Sequence, residues 1–169
     1  MRLRKLKLVA FLLAAGAGTL DAQTEKIGKR APEIDLPTLT GGRVELSKMR
    51  GHPVVVSFWG TWCPPCRDEF PELIRMQAKH SAAGLYIIGV NGRDQERSTR
   101  DVQRFVELFP VAFPIALDKR GLVRRKYKIE GQPTTVFIDS SGVVRKVHTG
   151  RISPEELEQG IALIVPPSS

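Results

Sequence analysis

Apolar residues recur with two different periods along the chain, and the two periods alternate. Near-continuous apolar runs at residues 53–58, 85–90 and 135–138 are typical of short strands buried on both faces. Apolar residues at helical spacing follow the first run, over residues 63–82, and recur over 98–109. Strands that alternate with helices in this way predict an α/β protein built on a central sheet.

Turn residues extend this pattern at both ends of the chain. Gly41-Gly42 separates two short strand patterns and predicts an N-terminal hairpin over residues 34–46. The Ser-Ser-Gly turn at 140–142 predicts a second hairpin, whose return strand covers residues 143–148. The return strand of a hairpin runs antiparallel, so we expect a sheet of mixed sense flanked by helices.

The last predicted helix sets the end of the domain. It begins with a Ser-Pro-Glu-Glu capping box at 153–156, with proline at the first helical position, and runs to about residue 165. One domain over residues 33–165 accounts for this pattern and is large enough to bury a core. Residues 23–32 are polar and basic and predict a linker, and residues 166–169 predict a frayed tail.

Residues 1–22 have the layout of a secretory signal. A basic start is followed by an uncharged apolar run from Leu8 to Leu20. The run is about 13 residues, which is short of the ~20 that a helix needs to cross a bilayer. Cleavage after Ala22 and retention as an N-terminal anchor both remain open. Either one predicts a domain in the periplasm or at the extracytoplasmic face of a bacterial membrane.

The formal net charge of +8 changes this picture little. Several of the cations belong to the N-terminal segment, and the others form no basic block with interleaved aromatic residues. We therefore expect no nucleic-acid partner, and membrane contact only through an uncleaved N-terminus. We also expect a monomer.

Cys63 and Cys66 are the two cysteines of the chain, and they stand at the start of the first predicted helix. A disulfide between them would close a loop too small to remove much entropy from the unfolded chain, which argues against a structural role. His52, His80 and His148 lack the spacing that would complete a zinc site. We expect no metal and no cofactor besides a redox-active disulfide, and the spacing predicts thiol–disulfide exchange.

The helix start favours one of the two sulfurs as the attacking group. Unpaired backbone N–H groups and the helix dipole stabilise an anion at a helix N-terminus. Because the thiolate is the nucleophile, we expect Cys63 to be exposed and to attack. Cys66, one turn later, is expected to be the shielded resolving thiol. Pro64 and Pro65 suit the first helical positions, where a missing N–H costs nothing.

The Trp-Cys-Pro-Pro-Cys segment at 62–66, placed after a strand, resembles the redox motif of the thioredoxin fold. The sequence GQPTT at 131–135 resembles the cis-proline turn of that family, which faces the cysteines. The resemblance implies a cis peptide bond before Pro133. The substrate-contacting residues that it implies are Trp62, Pro64, Pro65, Gln132 and Thr134.

A closer resemblance is to the extracytoplasmic ResA-, TlpA- and CcmG-like proteins of the redoxin, or AhpC/TSA, superfamily. It rests on FWGTWC at 58–63, EFP at 69–71, TTVFID at 134–139, the N-terminal hairpin and a strand-and-helix insert over about residues 85–118. The resemblance implies a reductant of disulfides in exported proteins, with apocytochrome c before haem attachment as one such substrate. It also implies a membrane thiol–disulfide transporter as the electron donor.

One position departs from ordinary thioredoxins. Those proteins carry a buried aspartate on the strand six residues before the first cysteine, and Ser57 stands there in this chain. Serine cannot accept a proton at neutral pH. Glu69 lies three residues after Cys66 and so on the same helix face, and ResA-like proteins resemble this sequence in having a glutamate there. We expect Glu69 to handle the proton of Cys66, with its own pKa raised by partial burial.

Three alternatives stay open at the level of sequence. A thiol peroxidase is disfavoured, because Gly60 stands three residues before Cys63 where peroxiredoxins have a threonine. A general oxidant or isomerase of secreted proteins would differ in reduction potential, which the sequence does not determine. A non-catalytic binding domain with a structural disulfide would resist reduction and tolerate loss of Cys63.

Overall fold

The computed structural model describes residues 26–165. This part of the chain contains seven strands and four α-helices. The strands are β1 (Asp35–Pro37), β2 (Arg43–Glu45), β3 (Val54–Trp59), β4 (Tyr86–Asn91), β5 (Ile115–Leu117), β6 (Thr134–Ile138) and β7 (Val144–Thr149). The helices are α1 (Pro64–Lys79), α2 (Thr99–Val106), α3 (Leu122–Lys126) and α4 (Pro154–Ala162).

The central sheet has five strands in the order β5–β4–β3–β6–β7. β3 is parallel to β4, and β4 is parallel to β5, whereas β6 runs antiparallel to both β3 and β7. The predicted mixed sheet is confirmed, and β3, which leads into the cysteines, is its middle strand. A parallel pair needs a crossover connection, and α1 provides it between β3 and β4.

Side chains of β3 alternate between two hydrophobic cores, as the pleat of a strand requires. Val55 and Trp59 pack into the core that α1, α2 and α4 cover. Val54, Val56 and Phe58 pack into the core beneath the N-terminal hairpin and α3. Both faces of the strand are therefore buried, which explains its near-continuous apolar sequence.

The predicted N-terminal hairpin is confirmed as a separate two-stranded sheet, in which Leu36 pairs with Val44. The predicted insert is also confirmed. It forms β4, α2 and β5, and Ser98 caps α2 by accepting a hydrogen bond from the Asp101 N–H. Because β5 pairs with β4 alone among the strands of this sheet, the insert supplies one of its two edge strands.

The predicted capping box of α4 is confirmed by reciprocal hydrogen bonds between Ser153 and Glu156. Further along, a Cβ added to Gly160 would lie 2.3 Å from two ring atoms of Phe137 on β6. A glycine is therefore what allows α4 to approach the sheet so closely. The helix ends at Ala162, slightly before its predicted end.

The linker predicted over residues 23–32 is wrong for its second half. The Gly28 N–H donates to the carbonyl of Val144 (2.8 Å), and the Ala31 N–H donates to the carbonyl of Gly142 (3.0 Å). This segment is thus bound along the start of β7. Its polar composition gave no sign of the pairing, because the bonds use backbone groups that every residue carries.

Three other predictions lie outside the described residues, at least in part. They are the signal or anchor at 1–22, the first residues of the linker and the tail at 166–169. Within residues 26–165, no helix has the length and apolar character needed to span a bilayer.

Candidate active site

The turn from β3 into α1 brings the two cysteines to a helix N-terminus. Cys63 is the N-cap residue of α1, and its N–H donates to the carbonyl of Gly60 (3.2 Å). Pro64 and Pro65 occupy the first helical positions, as expected. A disulfide joins Cys63 and Cys66, and the Cys66 N–H donates to Cys63 Sγ (3.3 Å). That N–H and the helix dipole are placed to stabilise a thiolate on Cys63 once the disulfide is reduced.

Neither cysteine is open to solvent in the disulfide form. Cys63 is 2% exposed and Cys66 is 1% exposed, so the prediction of an exposed Cys63 is wrong for this state. Both residues belong to the core cluster that contains Trp59 and Phe70, which leaves little of either to water. Position rather than exposure therefore distinguishes the two sulfurs, because Cys63 alone is the N-cap.

Glu69 lies one turn beyond Cys66 on α1 and is almost completely buried. Its Oε1 accepts a hydrogen bond from the Ile152 N–H (2.8 Å), and no partner of its Oε2 is found among residues 26–165. Burial raises the pKa of Glu69 to about 7, against the opposing effects of the Ile152 N–H and the Arg151 charge. A carboxyl with this pKa can both take up and release a proton near neutral pH.

The loop before β6 contains the predicted cis peptide bond, between Gln132 and Pro133. The Pro133 carbonyl accepts a hydrogen bond from the Gly150 N–H (2.8 Å), which ties this loop to the end of β7. Thr134 is completely buried, and its hydroxyl donates to the Gly131 carbonyl (2.8 Å). The Thr134 side chain therefore holds the loop together from within, and the substrate contact of Thr134 stays a prediction.

Gly60 is where the cysteine turn and the cis-proline loop meet. A Cβ at Gly60 would lie 2.7 Å from Trp62 Nε1 and 3.0 Å from Gln132 Oε1. Glycine thus lets the predicted residues Trp62 and Gln132 come together over the backbone. Trp62 is 53% exposed, and the side chains of Pro64 and Pro65 beside it are also exposed. These three residues and Gln132 remain predicted substrate contacts.

Ser57 occupies the strand position at which an aspartate is common in thioredoxins. It is buried on β3 and pairs with Gly89 of β4 and Thr135 of β6. The pleat directs it to the same face as Val55 and Trp59, beneath α1. No carboxylate comes from this strand, which leaves Glu69 as the buried carboxyl on the cysteine helix.

No set of three or more His, Cys, Asp or Glu side chains within residues 26–165 is arranged to hold a metal ion. The groups placed to react are the sulfurs of Cys63 and Cys66 and the carboxyl of Glu69.

Glu96 is a residue of the site that sequence reasoning missed. Its carboxylate accepts hydrogen bonds from the Thr61 N–H (2.7 Å), the Thr61 hydroxyl (2.5 Å) and the Asn91 side-chain amide (2.9 Å). Glu96 therefore joins the turn before Cys63 to the end of β4. Residues 93–99 are strongly charged, which predicts an exposed loop, and no local spacing indicates that one of them turns inward.

We expect Glu96→Gln to lower the free energy of unfolding by about 1–3 kcal/mol, because it weakens three hydrogen bonds to a charged acceptor and adds a donor without a partner. Urea denaturation of the disulfide form measures the change. Glu107→Gln, at the exposed C-cap residue that follows α2, is the matched control and is expected to change the stability by less than about 0.5 kcal/mol. Equal effects of the two substitutions would contradict the role assigned to Glu96.

Comparison with known protein families gives this geometry its context. A model described as the AhpC/TSA family matches residues 27–147, which is most of the described chain. The chain belongs to the AhpC/TSA family. With the cysteine pair at a helix N-terminus and the cis-proline loop beside it, this AhpC/TSA protein has the thioredoxin fold that the sequence predicted.

Individual relatives indicate which kind of AhpC/TSA protein this is. The AhpC/TSA protein is 36% identical over 146 residues to the thiol-disulfide oxidoreductase ResA of Halalkalibacterium halodurans, covering 86% of this chain and 81% of the relative. A Chlorobium tepidum structure described provisionally as the thiol:disulfide interchange protein DsbE has a TM-score of 0.77 and 37% identity, over 83% of this chain and 98% of that one. The AhpC/TSA protein is a ResA-like thiol–disulfide oxidoreductase.

A third comparison concerns a secreted protein. The structure of a secreted Mycobacterium tuberculosis disulfide oxidoreductase, described as homologous to DsbE of E. coli, has a TM-score of 0.67 and 26% identity. The match covers 76% of this chain and 94% of that one.

Proposed function

We propose that the protein reduces disulfide bonds of exported proteins outside the cytoplasm. The observation that carries this proposal is the buried Glu69 carboxyl, which lies on the helix face of Cys66 and has a pKa raised to about 7. A proton acceptor beside the resolving cysteine speeds the step in which a reduced protein passes its electrons to a substrate.

The reaction begins with the reduced form. The thiolate of Cys63 attacks one sulfur of the substrate disulfide, the substrate bond breaks, and a mixed disulfide with Cys63 forms. Glu69 then takes the proton of the Cys66 thiol, and the Cys66 sulfur attacks Cys63 Sγ. The two substrate thiolates take up the proton held by Glu69 and one proton from solvent. The substrate thus leaves as a dithiol with two added electrons, and the protein is left with its Cys63–Cys66 disulfide.

The chain and its relatives support a location and partners for the proposed reaction. The secretory layout of residues 1–22 and the likeness to a secreted oxidoreductase support an extracytoplasmic site. Apocytochrome c before haem attachment is the candidate substrate that the resemblance to ResA-like proteins supplies. A membrane thiol–disulfide transporter would return two electrons to the protein after each reaction.

Trapping the mixed disulfide tests the proposal. We expect the Cys66→Ser variant, expressed in its own host, to accumulate substrates bound to Cys63, because the resolving thiol is absent. Mass spectrometry of the captured adducts identifies them. Exported proteins with paired cysteines, apocytochrome c among them, would support the proposal, and the Cys63→Ser/Cys66→Ser double variant should capture none.

The direction of electron flow needs its own measurement. Equilibration with glutathione buffers is expected to give a reduction potential near that of thioredoxin, about −270 mV, which suits a reductant. A potential near that of DsbA, about −120 mV, would contradict the proposal and favour an oxidant of secreted proteins.

A further inference from the structure

His148 and Glu69 hold the same peptide unit, which lies between the end of β7 and the start of α4. Nε2 of His148 lies 3.0 Å from the carbonyl oxygen of Arg151. The Ile152 N–H, at the other end of that peptide bond, donates to Glu69 Oε1 (2.8 Å). The C=O and N–H of a trans peptide unit are coplanar and point in opposite directions. The imidazole and the carboxyl therefore hold this unit from opposite sides.

The hydrogen bond of His148 has a defined direction. A carbonyl oxygen can only accept, so Nε2 must carry the hydrogen and donate it to Arg151. Nδ1, the other ring nitrogen, lies 4.0 Å from a carboxylate oxygen of Glu156, which is beyond hydrogen-bond distance. Among residues 26–165, the Arg151 carbonyl is thus the group to which the imidazole is hydrogen-bonded.

Few other bonds fix the orientation of the Arg151–Ile152 peptide unit. Residues 151–153 lie in neither a helix nor a strand, and the part of the chain that the structure describes contains no third hydrogen bond of this unit. The Ile152 side chain is buried and the Gly150 N–H donates to Pro133, so the segment itself is anchored. The peptide plane can still rotate about the dihedrals on its two sides, and this rotation decides where the Ile152 N–H points.

The direction of the Ile152 N–H matters because Glu69 is buried. This N–H is the one hydrogen-bond partner of the Glu69 carboxyl found among residues 26–165. Burial raises the pKa of Glu69 to about 7, and the N–H acts against burial because it stabilises the charged form. An N–H turned away from Oε1 would leave the carboxylate less stabilised, so the carboxyl would keep its proton to higher pH.

We propose that His148 is a positioning residue, which binds the Arg151 carbonyl and so aims the N–H of the same peptide unit at Glu69. This inference rests on the proposed function, in which Glu69 takes the proton of Cys66. His148 acts through the peptide unit and takes no part in the sulfur chemistry. Its contribution is to keep the Glu69 carboxyl ionised, and so able to accept a proton, near neutral pH.

Two amide variants that differ by one methylene group test the inference. The side-chain N–H of His148→Gln reaches the position of Nε2, whereas that of His148→Asn reaches only the position of Nδ1. The charged groups around the ring and its peptide unit are Glu156, Lys146, Arg151 and Asp68. Both variants are neutral, so a difference between them does not arise from the charge of an imidazole near these groups.

The pKa of Glu69 is the direct measurement. Isotope-edited NMR of glutamate side-chain carboxyls follows it in the disulfide form of the full-length protein, where no thiol titrates. We expect a pKa of about 7 in the wild type and in His148→Gln. In His148→Asn, and in His148→Leu, which has no donor, we expect the pKa of Glu69 to be about 0.5–1 unit higher.

The second step of disulfide exchange should report the same change. The reduced protein is mixed with the cyclic disulfide peptide acetyl-Cys-Gly-Gly-Cys-amide, and acid-quenched samples are analysed by mass spectrometry. At about pH 6 the step in His148→Asn should be roughly three- to tenfold slower than in the wild type, because fewer Glu69 carboxyls are ionised. At about pH 9 the two rates should agree within about twofold, and His148→Gln should match the wild type throughout.

The two measurements distinguish the inference from the proposed function. Equal pKa values of Glu69 in His148→Gln and His148→Asn would overturn the inference, as would a rate that falls equally at low and high pH, which indicates a structural role alone. Loss of the pH dependence in His148→Gln would also overturn it, because the ionisation would then belong to His148. A shifted pKa with unshifted kinetics would leave the positioning role intact and overturn the proposed role of Glu69 in reduction.

Discussion

Glutamine in place of Glu69 is expected to slow the second step of disulfide exchange by about 10²- to 10⁴-fold. Glutamine keeps the size of the side chain and an oxygen that can accept the Ile152 N–H, but it cannot take the proton of Cys66. Attack by Cys63 should be nearly unchanged. The mixed disulfide between Cys63 and substrate should therefore accumulate in acid-quenched samples, which mass spectrometry measures directly.

The dependence of the rate on pH gives a second measurement of the same variant. Burial raises the pKa of Glu69 to about 7, so below that pH the carboxyl already holds a proton and cannot accept another. The wild-type rate of the second step should fall as the pH drops through about 7. This fall should be absent in Glu69→Gln, where the remaining dependence belongs to the thiols. In the wild type, the apparent pKa taken from this pH dependence belongs to Glu69 and Cys66 together, because the two groups exchange a proton.

Stability should respond to the same ionisation. The pKa of Glu69 is higher in the folded protein than its ordinary value of 4.5, so the folded state binds the proton more tightly than the unfolded state. This tighter proton binding stabilises the folded protein below pH 4.5. The stabilisation is lost as the pH rises through about 7, which lowers the free energy of unfolding by roughly 3 kcal/mol. Urea denaturation across this range should show the loss in the wild type and not in Glu69→Gln.

Asp68→Asn is the matched control for these measurements. Asp68 is the neighbouring carboxylate on α1, but its side chain is 58% exposed and lies 3.9 Å from Arg151. Its removal should leave the rate of the second step within about twofold of the wild type, since exposed charges interact weakly. A Glu69→Gln variant with wild-type kinetics and pH dependence would show that Glu69 is only a buried structural carboxyl.

The second large effect concerns the aromatic cluster beneath the cysteines. Phe70→Ala is expected to lower the free energy of unfolding by about 3–5 kcal/mol, through lost burial and the cavity that remains. Phe70 is 1% exposed, and its ring centroid lies 4.6 Å from that of Trp59 and 5.0 Å from that of Phe105. Urea denaturation with the disulfide intact measures the change.

Leu108→Ala provides the comparison, because Leu108 follows the end of α2 and is 67% exposed. It should change the stability by less than about 0.5 kcal/mol. A loss below about 1 kcal/mol for Phe70→Ala would mean that the surrounding rings close the cavity. The rate at which Phe70→Ala reduces a small peptide with one disulfide would then report whether the cluster also positions Cys66.

The fold was predictable where one physical cause dominates the sequence. The run at 53–58 is apolar because β3 is covered on both faces, and the capping box at 153–156 starts α4 through contacts between near neighbours. Hydrogen bonds between backbone groups do not show in the pattern of side chains. The bonds of Gly28 and Ala31 to the start of β7 therefore could not be predicted from side-chain composition.

The residues of the site likewise fall into those that the sequence predicts and those that it does not. Cys63, Cys66 and Glu69 share one helix, so their spacing along the chain already relates their positions. Glu96 acts on a turn that is 35 residues away in sequence, and nothing near it indicates the contact. Exposure was also misjudged for Cys63, because burial depends on what packs against a residue and not on its own type.

The attachment of residues 28–31 determines where the described chain enters the domain. These residues bind at the Val144 end of β7, whereas the Thr149 end pairs with Thr134 beside the cis-proline loop. The two ends are roughly 17 Å apart along the strand, at about 3.3 Å per residue. The N-terminal end of the described chain thus enters the domain at the end of β7 away from the cis-proline loop.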